Sequence, residues 1–325
     1  MNQQSSRKDT VLVTGVAGFV GSNLALALLE AGYRVVGIDN FDDTYDPAFK
    51  EAQIAPALGN PDFELMRLDI REKAALAAAL RRAHPRFVVH LAAKADTRLA
   101  VADPHTYVDN NITGSINLFE TIRDVGDVEN TLYVSSSSVY GNDPDIPWRE
   151  SAAADRPLSP YGATKRAVEL FAHAYHHNFG MNITCLRYFN VYGENNRPNM
   201  VPYKWTKALL TGGVIELSGA GTRKRDYTYV GDTIRGTILA MTKPFGYEVI
   251  NLGNNRPLSL TELLAVLEKV TGVKANVEAR ESSKASVEET YADISKAKEL
   301  LGWEPVTPVE EGMARLVEWF KANRL

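Results

Sequence analysis

The sequence predicts an α/β fold, in which a Rossmann-type, doubly wound parallel sheet is joined to a smaller C-terminal lobe. Through the first half of the chain, short apolar runs alternate with segments of helical period, as buried parallel strands and their crossover helices do. After residue 190 this pattern gives way to a turn-rich loop, mixed helices and short strands. We therefore predict a Rossmann domain over 1–189, to which about 226–253 returns, and a ligand-binding lobe over 190–225 and 254–325.

The predicted elements follow one another regularly. Six near-continuous apolar runs are predicted as strands of the sheet: TVLVTG, RVVGID, FELMRLDI, FVVHLAA, TLYVSSS and NITCLRY. Between them, helical period predicts helices in SNLALALLEAG, EKAALAAALRRA, NNITGSINLFETIRDV and TKRAVELFAHAYHHNF. In the second half we predict strands in VIELSG and YEVINLG, and helices in YKWTKALLTGG, TIRGTILAM, LTELLAVLEKVTG, DISKAKELLG and PVEEGMARLVEWFKAN. The segment after LTELLAVLEKVTG has few apolar residues and is predicted as a loop.

The composition is that of a soluble globular protein. Of 325 residues, 45% are hydrophobic and 23% charged, which are ordinary values. The net charge of -4 and the lack of a long basic run argue against a nucleic-acid partner, and no apolar run is long enough to predict a membrane span. The polar start MNQQSSRKDT leads directly into a strand, so no signal peptide is expected. The single cysteine, Cys185, lies in a predicted buried strand, which favours a reducing, cytoplasmic location.

A glycine-rich turn joins the first predicted strand to the first helix. Gly15, Gly18 and Gly21 are spaced G-x-x-G-x-x-G, and glycine is needed where a backbone turns tightly and approaches a pyrophosphate at a helix N-terminus. Asp39 ends the second strand, where a carboxylate accepts hydrogen bonds from ribose hydroxyls and repels a 2′-phosphate. The order of these features predicts a dinucleotide site that takes NAD rather than NADP. Asp69, at the end of the third strand, is expected to close the adenine pocket.

In the stretch SPYGATK, Tyr161 and Lys165 are four residues apart, just after a proline. On a helix this spacing puts them on one face, one turn apart. The pair alone would equally suit an amphipathic helix whose tyrosine packs and whose lysine is solvated. A phenol of pKa about 10 is a poor base at neutral pH, but a nearby ammonium and a positively charged nicotinamide would lower that pKa. Beside a dinucleotide site, the pair therefore predicts a general base and its partner.

Seven motifs occur in a characteristic order: TGVAGFVG, IDN, HLAAKAD, DNN, VSSSSVYG, SPYGATK and RYFNVYG. In this the chain resembles, over essentially its whole length, the extended short-chain dehydrogenase/reductases, specifically the NAD-dependent epimerase/dehydratase family that acts on nucleotide sugars. The resemblance implies NAD as the cofactor, and Tyr161, Lys165 and Ser136 as catalytic residues. Alternatively, Ser136 is simply bonded to the backbone of its own loop. The resemblance also implies cofactor contacts from Gly15, Gly18, Phe19, Val20, Gly21, Asp39, Asn40, Asp69, Ile70, Leu91, Ala92, Ala93, Lys94, Asn110, Tyr161, Lys165 and Tyr188.

The serines that follow Ser136 restrict the reaction type. Sugar-nucleotide 4,6-dehydratases have Asp and Glu at the positions that match Ser137 and Ser138, and UDP-glucuronate decarboxylases have Glu at the second position. A serine cannot easily replace those acids, so elimination and decarboxylation are disfavoured. An epimerase, which needs only reversible oxidation at one carbon, is what remains.

Two further segments, GIDNFDDTYDPAFK and NRPNM, resemble UDP-glucuronate 4-epimerases more than the UDP-glucose type. The resemblance places Arg197 where an arginine binds the substrate carboxylate, which a planar guanidinium can do in bidentate fashion. A loop arginine that is exposed or paired with a local acid is the alternative, and Asn190 could likewise be only a loop-capping residue. We expect substrate contacts from Arg98, Ser137, Ser138, Asn190, Arg197, Asn199, Met200, Arg225 and Lys284.

The expected activity is therefore that of an NAD-dependent 4-epimerase interconverting UDP-glucuronate and UDP-galacturonate. A UDP-glucose or UDP-N-acetylglucosamine 4-epimerase, or a non-catalytic NAD-binding regulatory protein of the same fold, remain alternatives. One segment departs from the family pattern: 283–286 read Ser-Lys-Ala-Ser where the family usually has Arg-x-Gly-Asp, so this segment does not identify the nucleotide. Lys284 could supply the missing positive charge, with Arg225 as a diphosphate ligand.

Three histidines, His173, His176 and His177, share one predicted helix at a spacing that could bind a metal. In the family, however, the helix that carries Tyr161 packs in a dimeric four-helix bundle. We therefore expect these histidines at an interface or the surface, no bound metal, and a homodimer.

Overall fold

The structure is a computed structural model and describes residues 8–280 and 287–325. The strands are β1 (Thr10–Thr14), β2 (Arg34–Asp39), β3 (Phe63–Arg67), β4 (Phe87–His90), β5 (Asn130–Ser136), β6 (Ile183–Tyr188), β7 (Asn190–Tyr192), β8 (Val214–Ser218), β9 (Lys224–Arg225), β10 (Tyr227–Tyr229), β11 (Tyr247–Leu252), β12 (Leu258–Ser259) and β13 (Asn276–Arg280). The α-helices are α1 (Phe19–Glu30), α2 (Pro47–Leu58), α3 (Lys73–Ala83), α4 (Thr97–Ala102), α5 (Pro104–Tyr107), α6 (Gly114–Val125), α7 (Pro160–Phe179), α8 (Val201–Thr211), α9 (Val230–Met241), α10 (Leu260–Thr271), α11 (Ser295–Leu301) and α12 (Val309–Arg324).

A seven-stranded sheet of order β3-β2-β1-β4-β5-β6-β11 forms the centre of the protein, and all its strands are parallel. The strand order reverses between β1 and β4, and open α/β sheets bind ligands at the carboxyl ends of the strands near such a point. This sheet confirms the predicted fold class. Three two-stranded sheets, β7 with β10, β9 with β12 and β8 with β13, add to the second half of the chain.

The alternation of side chains along β1 divides the core into two layers. Val11 and Val13 belong to a cluster that includes Leu24 of α1, whereas Leu12 belongs to a cluster with Leu80 of α3 and Leu118 of α6. Because successive side chains of a strand point to opposite faces, both faces of the sheet are covered by helices. That double burial explains why the strands are apolar throughout rather than alternating.

Several elements differ from the sequence-based expectation, including the short helices α4 and α5, which were not predicted. The segment Pro47–Leu58 forms α2, which begins at Asp46, whose carboxylate accepts a hydrogen bond from the N–H of Ala48 (2.9 Å). The predicted loop after α10 contains β13, which pairs with β8; its residues are exposed, so no apolar pattern marks it. The predicted helix NNITGSINLFETIRDV starts within a π-helical turn, Val108–Thr113, which leads into α6.

The last strand of the sheet comes from the second half of the chain. β11 pairs with β6 from Tyr247↔Ile183 to Leu252↔Tyr188. The proposed division into a Rossmann domain and a ligand-binding lobe remains a prediction. Within the described ranges no helix has the length and apolar character needed to cross a membrane.

Candidate active site

A cleft of about 510 Å³ lies where β1, β2, β4, β5 and β6 end. It is lined by nearly all the residues that the sequence pointed to: Gly15, Gly18, Phe19, Val20, Gly21, Asp39, Asn40, Ile70, Leu91, Ala92, Ala93, Lys94, Arg98, Asn110, Ser136, Ser137, Ser138, Tyr161, Lys165, Tyr188, Asn190, Arg197, Asn199, Met200 and Arg225. Asp69 is not part of this wall, and Lys284 lies outside the described residues. The fold thus brings the predicted cofactor and substrate residues into one space.

The glycine-rich turn has no room for larger side chains. Gly15 has a φ of +71°, and a Cβ on Gly21 would lie 2.1 Å from the carbonyl oxygen of Gly15. Gly18 is the N-cap of α1, where no side chain occupies the end of the helix. The first N–H groups of α1 are thereby available to the cleft, which is the usual way in which a helix N-terminus binds phosphate.

Asp39 lies at the end of β2 and is held by two backbone groups. Its carboxylate accepts hydrogen bonds from the N–H of Ala17 (2.9 Å) and of Phe41 (2.8 Å), and burial raises its pKa. The Nζ of Lys50, on α2, lies 3.9 Å from Asp39 Oδ1. Sequence analysis missed Lys50, although it is part of the segment GIDNFDDTYDPAFK.

Asp69 contacts the cleft only through a neighbour. Its carboxylate accepts a hydrogen bond from Asn40 Nδ2 (2.8 Å) and pairs with Arg71 (2.8 Å), and the bonds from Arg71 lower its pKa to about 2. Asp69 therefore holds Asn40, which lines the cleft. Whether it also closes an adenine pocket remains a prediction.

The loop after β2 is linked to the loop after β4. Lys94 Nζ pairs with Asp42 Oδ2 (2.5 Å) and donates to Thr44 Oγ1 (3.2 Å), and these three residues line the cleft together with Tyr45. Burial raises the pKa of Tyr45 to about 12. Sequence analysis had assigned Lys94 to the cofactor but did not identify Asp42, Thr44 or Tyr45.

Helix α7 presents Tyr161 and Lys165 to the cleft. It begins at Ser159, whose Oγ accepts a hydrogen bond from the N–H of Gly162 (3.1 Å), and Pro160 starts its first turn. Burial raises the pKa of Tyr161, while a hydrogen bond with Ser136 and the charge of Arg197 oppose that rise. Arg197 was not expected to act on the phenol.

Lys165 makes its hydrogen bond with the backbone of β5. Its Nζ donates to the carbonyl oxygen of Val134 (2.8 Å) and lies 4.9 Å from the centre of the Tyr133 ring. Burial lowers its pKa to about 7. Ser136 and Arg197 oppose the rise in the pKa of Tyr161, and the predicted action of the Lys165 ammonium on the phenol remains a prediction.

Ser136 ends β5 and is the N-cap of a 3-10 helix, Ser137–Tyr140. Its Oγ accepts a hydrogen bond from the N–H of Ser138 (3.2 Å) and donates one to Ser138 Oγ (3.2 Å). Ser136 thus bonds its own loop and also opposes the rise in the pKa of Tyr161, and its catalytic role remains a prediction. Ser137 and Ser138 line the cleft beside it, where acids would be needed for elimination.

Arg197 extends from the loop before α8. Its Nη1 donates to the carbonyl oxygen of Ala95 (3.4 Å) and its Nη2 contacts Met200 Sδ (3.6 Å). Across residues 8–280 and 287–325, no ion pair joins this guanidinium to an acid of the protein. The alternative of pairing with a local acid is not what the structure contains.

The remaining substrate-side residues have protein partners. Asn199 Nδ2 donates to Asp96 Oδ2 (3.0 Å), and the neighbouring Arg98 is exposed at the cleft. Asn190 Oδ1 accepts from Thr290 Oγ1 (3.3 Å), a cleft residue that sequence analysis missed. Arg225 Nη2 donates to the carbonyl oxygen of Val287 (2.7 Å), and burial lowers its pKa.

Two of the three histidines on α7 contact neighbouring segments. The His173 ring packs edge-on against Tyr247 (5.0 Å between centroids), and His176 Nδ1 hydrogen-bonds the carbonyl oxygen of Met181 (2.9 Å). In the part of the chain that the structure describes, no three His, Cys, Asp or Glu side chains are grouped to hold a metal ion.

Comparison with known proteins agrees with this geometry. The sequence profile of the NAD dependent epimerase/dehydratase family matches residues 11–253. The chain is 43% identical to a UDP-glucuronate 4-epimerase of Thermodesulfobacterium geofontis over 314 residues, which is 96% of each chain.

Solved structures are similar as well. A UDP-glucuronic acid 4-epimerase from Bacillus cereus, in complex with UDP-glucuronic acid and NAD, superposes with a TM-score of 0.91 at 36% identity, covering 96% of this chain and 99% of that one. A UDP-glucose 4-epimerase of Thermotoga maritima with UDP-glucose gives 0.87 at 31% identity over the same shares. The family expected from the motifs is thus confirmed: the chain belongs to the NAD dependent epimerase/dehydratase family.

Proposed function

We propose that the protein is an NAD-dependent 4-epimerase that interconverts UDP-glucuronate and UDP-galacturonate through a transient 4-keto intermediate. The observation that carries the substrate assignment is Arg197, a guanidinium in the cleft that has no acidic partner among the described residues and acts on Tyr161. A carboxylate on the sugar would supply that partner. The relatives from T. geofontis and B. cereus, both UDP-glucuronate 4-epimerases, support the same assignment.

The residues at the carboxyl ends of β1 and β2 fit NAD. The pyrophosphate would bind at the N-terminus of α1, beside Gly21, where a Cβ would leave no space. The Asp39 carboxylate would accept hydrogen bonds from the ribose hydroxyls. When bound, NAD supplies reversible hydride transfer at C4 of the sugar. Lys165 would donate to the nicotinamide ribose, as it now donates to the carbonyl oxygen of Val134.

The chain's own residues would move one proton and hold one carboxylate. Tyr161, whose pKa Ser136 helps to lower, would take the proton of the 4-hydroxyl as the alcohol becomes a ketone. After the sugar has rotated to present the opposite face of C4 to the cofactor, Tyr161 would return the proton. Arg197 and the Ser138 hydroxyl would fix the C5 carboxylate. Ser137 and Ser138 carry no acid, so they cannot drive loss of water from the intermediate.

The test is incubation of the purified protein with UDP-glucuronate, UDP-glucose and UDP-N-acetylglucosamine, followed by chromatographic separation of the epimers. We expect UDP-glucuronate to be converted to UDP-galacturonate with the highest kcat/KM. Preference for UDP-glucose would replace the uronate assignment by the sugar-epimerase alternative. NAD binding without turnover of any of the three would favour a non-catalytic protein.

The cofactor preference gives a further prediction. We expect the wild-type protein to bind NAD more tightly than NADP, because Asp39 repels a 2′-phosphate. In Asp39→Asn the repulsion is lost, while the Lys50 ammonium, 3.9 Å from Asp39 Oδ1, keeps its contact with Asp42 (3.7 Å) and stays at the cleft as a positive charge. The ratio of NAD to NADP affinity should then fall roughly 10- to 100-fold, as for a hydrogen bond to a charged group. Titration calorimetry measures this ratio. Equal affinities of the wild type for NAD and NADP would contradict the role given to Asp39.

We further propose a cytoplasmic homodimer that packs through α7. Leu170, Phe171 and Phe179 are exposed on this helix, and apolar side chains mark an interface where they form a contiguous exposed patch. Sedimentation equilibrium should therefore give twice the 35.8 kDa chain mass. A monomer at micromolar concentration would count against the interface.

A further inference from the structure

A buried ion pair lies directly beneath the cleft and has no part in the steps above. The side chains of Glu169 and Arg187 are 0% and 1% exposed. Arg187 binds the carboxylate through Nε (2.9 Å) and Nη2 (2.7 Å), Ser135 Oγ donates to it at 2.6 Å, and Arg166 Nη1 at 3.0 Å. Burial alone would raise the pKa of Glu169, but its bonds with Arg187 lower it, so the group is an anion.

The position of Glu169 connects it to the catalytic residues. It lies four residues after Lys165 on α7, which is one helical turn. Ser135, which it binds, directly precedes Ser136 on β5, and Arg187 pairs with Ser135 in the β5–β6 register. A single carboxylate therefore joins the helix that carries Tyr161 and Lys165 to the strand that ends in Ser136.

The groups around Lys165 show why an anion is needed there. The buried Lys165 ammonium faces the Tyr133 ring on β5, His90 on β4, Cys185 on β6 and Glu169 on its own helix. Burial lowers the pKa of His90 to about 3 and raises those of Cys185 and Tyr133 well above their usual values, so these groups are neutral near pH 7.

The charged arginines nearby, Arg187 and Arg166, both bind the carboxylate of Glu169. Among the described neighbours of Lys165, Glu169 thus supplies the negative charge that offsets burial of the ammonium.

We propose that Glu169 is a positioning residue, which keeps Lys165 protonated in the interior and holds Ser135 and Ser136 against α7. The inference rests on the proposed epimerase function, because Lys165 is taken to act as an ammonium in turnover. It assigns a chemical task to a side chain that touches neither cofactor nor sugar.

The decisive variant is Glu169→Gln, which keeps the shape of the side chain and removes its charge. We expect the alkaline limb of the kcat–pH profile to move to lower pH, since Lys165 then loses its proton more readily. Above the limb, kcat should fall about tenfold for each unit by which the pKa of Lys165 drops. Glu169→Asp, which restores the anion, should move the limb back toward the wild-type position.

The matched control is Asp232→Asn, which removes the charge of another buried carboxylate, one paired with the partly exposed Arg235, at a site that is not part of the cleft wall. It should leave the position of the alkaline limb unchanged. A Glu169→Gln variant whose kcat falls equally at every pH, with the limb in place, would show a structural role only and would overturn the proposal.

A second measurement needs no turnover. The unfolded chain binds a proton at Lys165 up to about pH 10, whereas the folded wild type releases it near pH 7. If Glu169→Gln lowers the pKa of Lys165 in the folded state below that of the wild type, the folded variant has already released this proton just below pH 7. The unfolded variant still binds it there, so lowering the pH destabilises the variant but not the wild type. The stability difference between wild type and variant should therefore widen from pH 7 to pH 5 in thermal unfolding. A constant difference would contradict the proposal.

Two provisions keep this test separate from the substrate assignment. If another UDP-hexose is turned over instead of UDP-glucuronate, the profiles are recorded with that sugar, since the charge of Lys165 does not depend on the sugar.

If Glu169→Gln alone does not fold, Glu169→Gln with Arg187→Gln removes both charges. The alkaline limb of that double variant should still move to lower pH, because Glu169 rather than Arg187 sets the charge of Lys165. An unmoved limb would again refute the role.

Discussion

Replacing Tyr161 by Phe is expected to lower kcat by the roughly 10²–10⁴-fold that a positioned general base contributes. The ring itself should stay in place, because it packs edge-on against Tyr107 (6.5 Å between centroids) and is buried. Only the phenolic oxygen is removed, and with it the interaction through which Ser136 opposes the rise in the pKa of the phenol. The fold and the NAD content should therefore survive, which circular dichroism and the absorbance of released cofactor measure.

The pH dependence distinguishes loss of the base from a general defect. Burial raises the pKa of Tyr161, so on the acid side of the profile, below the pH at which Lys165 loses its proton, the wild-type rate should increase with pH as a larger fraction of the phenol ionises. The residual rate of Tyr161→Phe should lack that increase. Ser136→Ala is the matched comparison: it keeps the base and should cost less than Tyr161→Phe. A near-normal rate for Tyr161→Phe would mean that another group takes the proton.

Replacing Arg197 by Ala should weaken UDP-glucuronate binding about 10- to 150-fold, the effect of losing a hydrogen bond to a charged group. Binding of UDP-glucose, which has no carboxylate, should change much less. Arg197→Lys keeps the charge but lacks the planar guanidinium. Its affinity for UDP-glucuronate should therefore lie between those of the wild type and Arg197→Ala. Arg82→Ala removes an exposed arginine that is not part of the cleft wall and serves as the control, with UDP-glucuronate binding expected to be unchanged.

Arg197→Ala should also release the 4-keto intermediate, or the pentose formed from it by loss of carbon dioxide. The 4-ketone of a uronate is beta to the C5 carboxylate, an arrangement that loses carbon dioxide readily. Held by Arg197 and Ser138, the carboxylate can be kept in an orientation in which the breaking bond is not aligned with the carbonyl π system. Residual turnover by Arg197→Ala should thus leak a 4-keto-pentose or NADH, detected by mass spectrometry and absorbance.

Arg197 has a second, electrostatic effect that the variant exposes. Its charge opposes the rise in the pKa of Tyr161, so its removal should move the acid limb of any remaining UDP-glucose activity to higher pH. If the wild type prefers UDP-glucose and Arg197→Ala alters neither preference, leakage nor this limb, Arg197 is an ordinary loop residue.

The features predictable from the sequence were those with a local signal. Strands buried on both faces, such as β1, are continuous apolar runs, and the turn at Gly15 can hardly be built from other residues. The Tyr161–Lys165 pair is fixed by helical spacing alone. The exposed strand β13 has no apolar pattern, and α2 contains a proline, Pro56, so neither was predicted.

What the sequence could not provide were contacts between distant segments. The charge of Arg197 acts on Tyr161, and Lys50 approaches Asp39, only because the folded chain brings separate loops to one sheet edge. The Lys165 side chain points toward the carbonyl oxygen of Val134 because it is buried against β5. Residue spacing within one helix does not predict such a contact.

The seventh strand of the sheet has a consequence for biosynthesis. All six residues of β6 are buried, and its outer edge pairs with β11, which the ribosome makes some sixty residues later. Until then β6 presents unpaired backbone groups and apolar side chains, the kind of edge that templates aggregation. Residues 1–189 alone therefore lack the partner that β6 has in the complete sheet. Recombination that exchanged the second half of the chain would have to leave Tyr247–Leu252 with the first half.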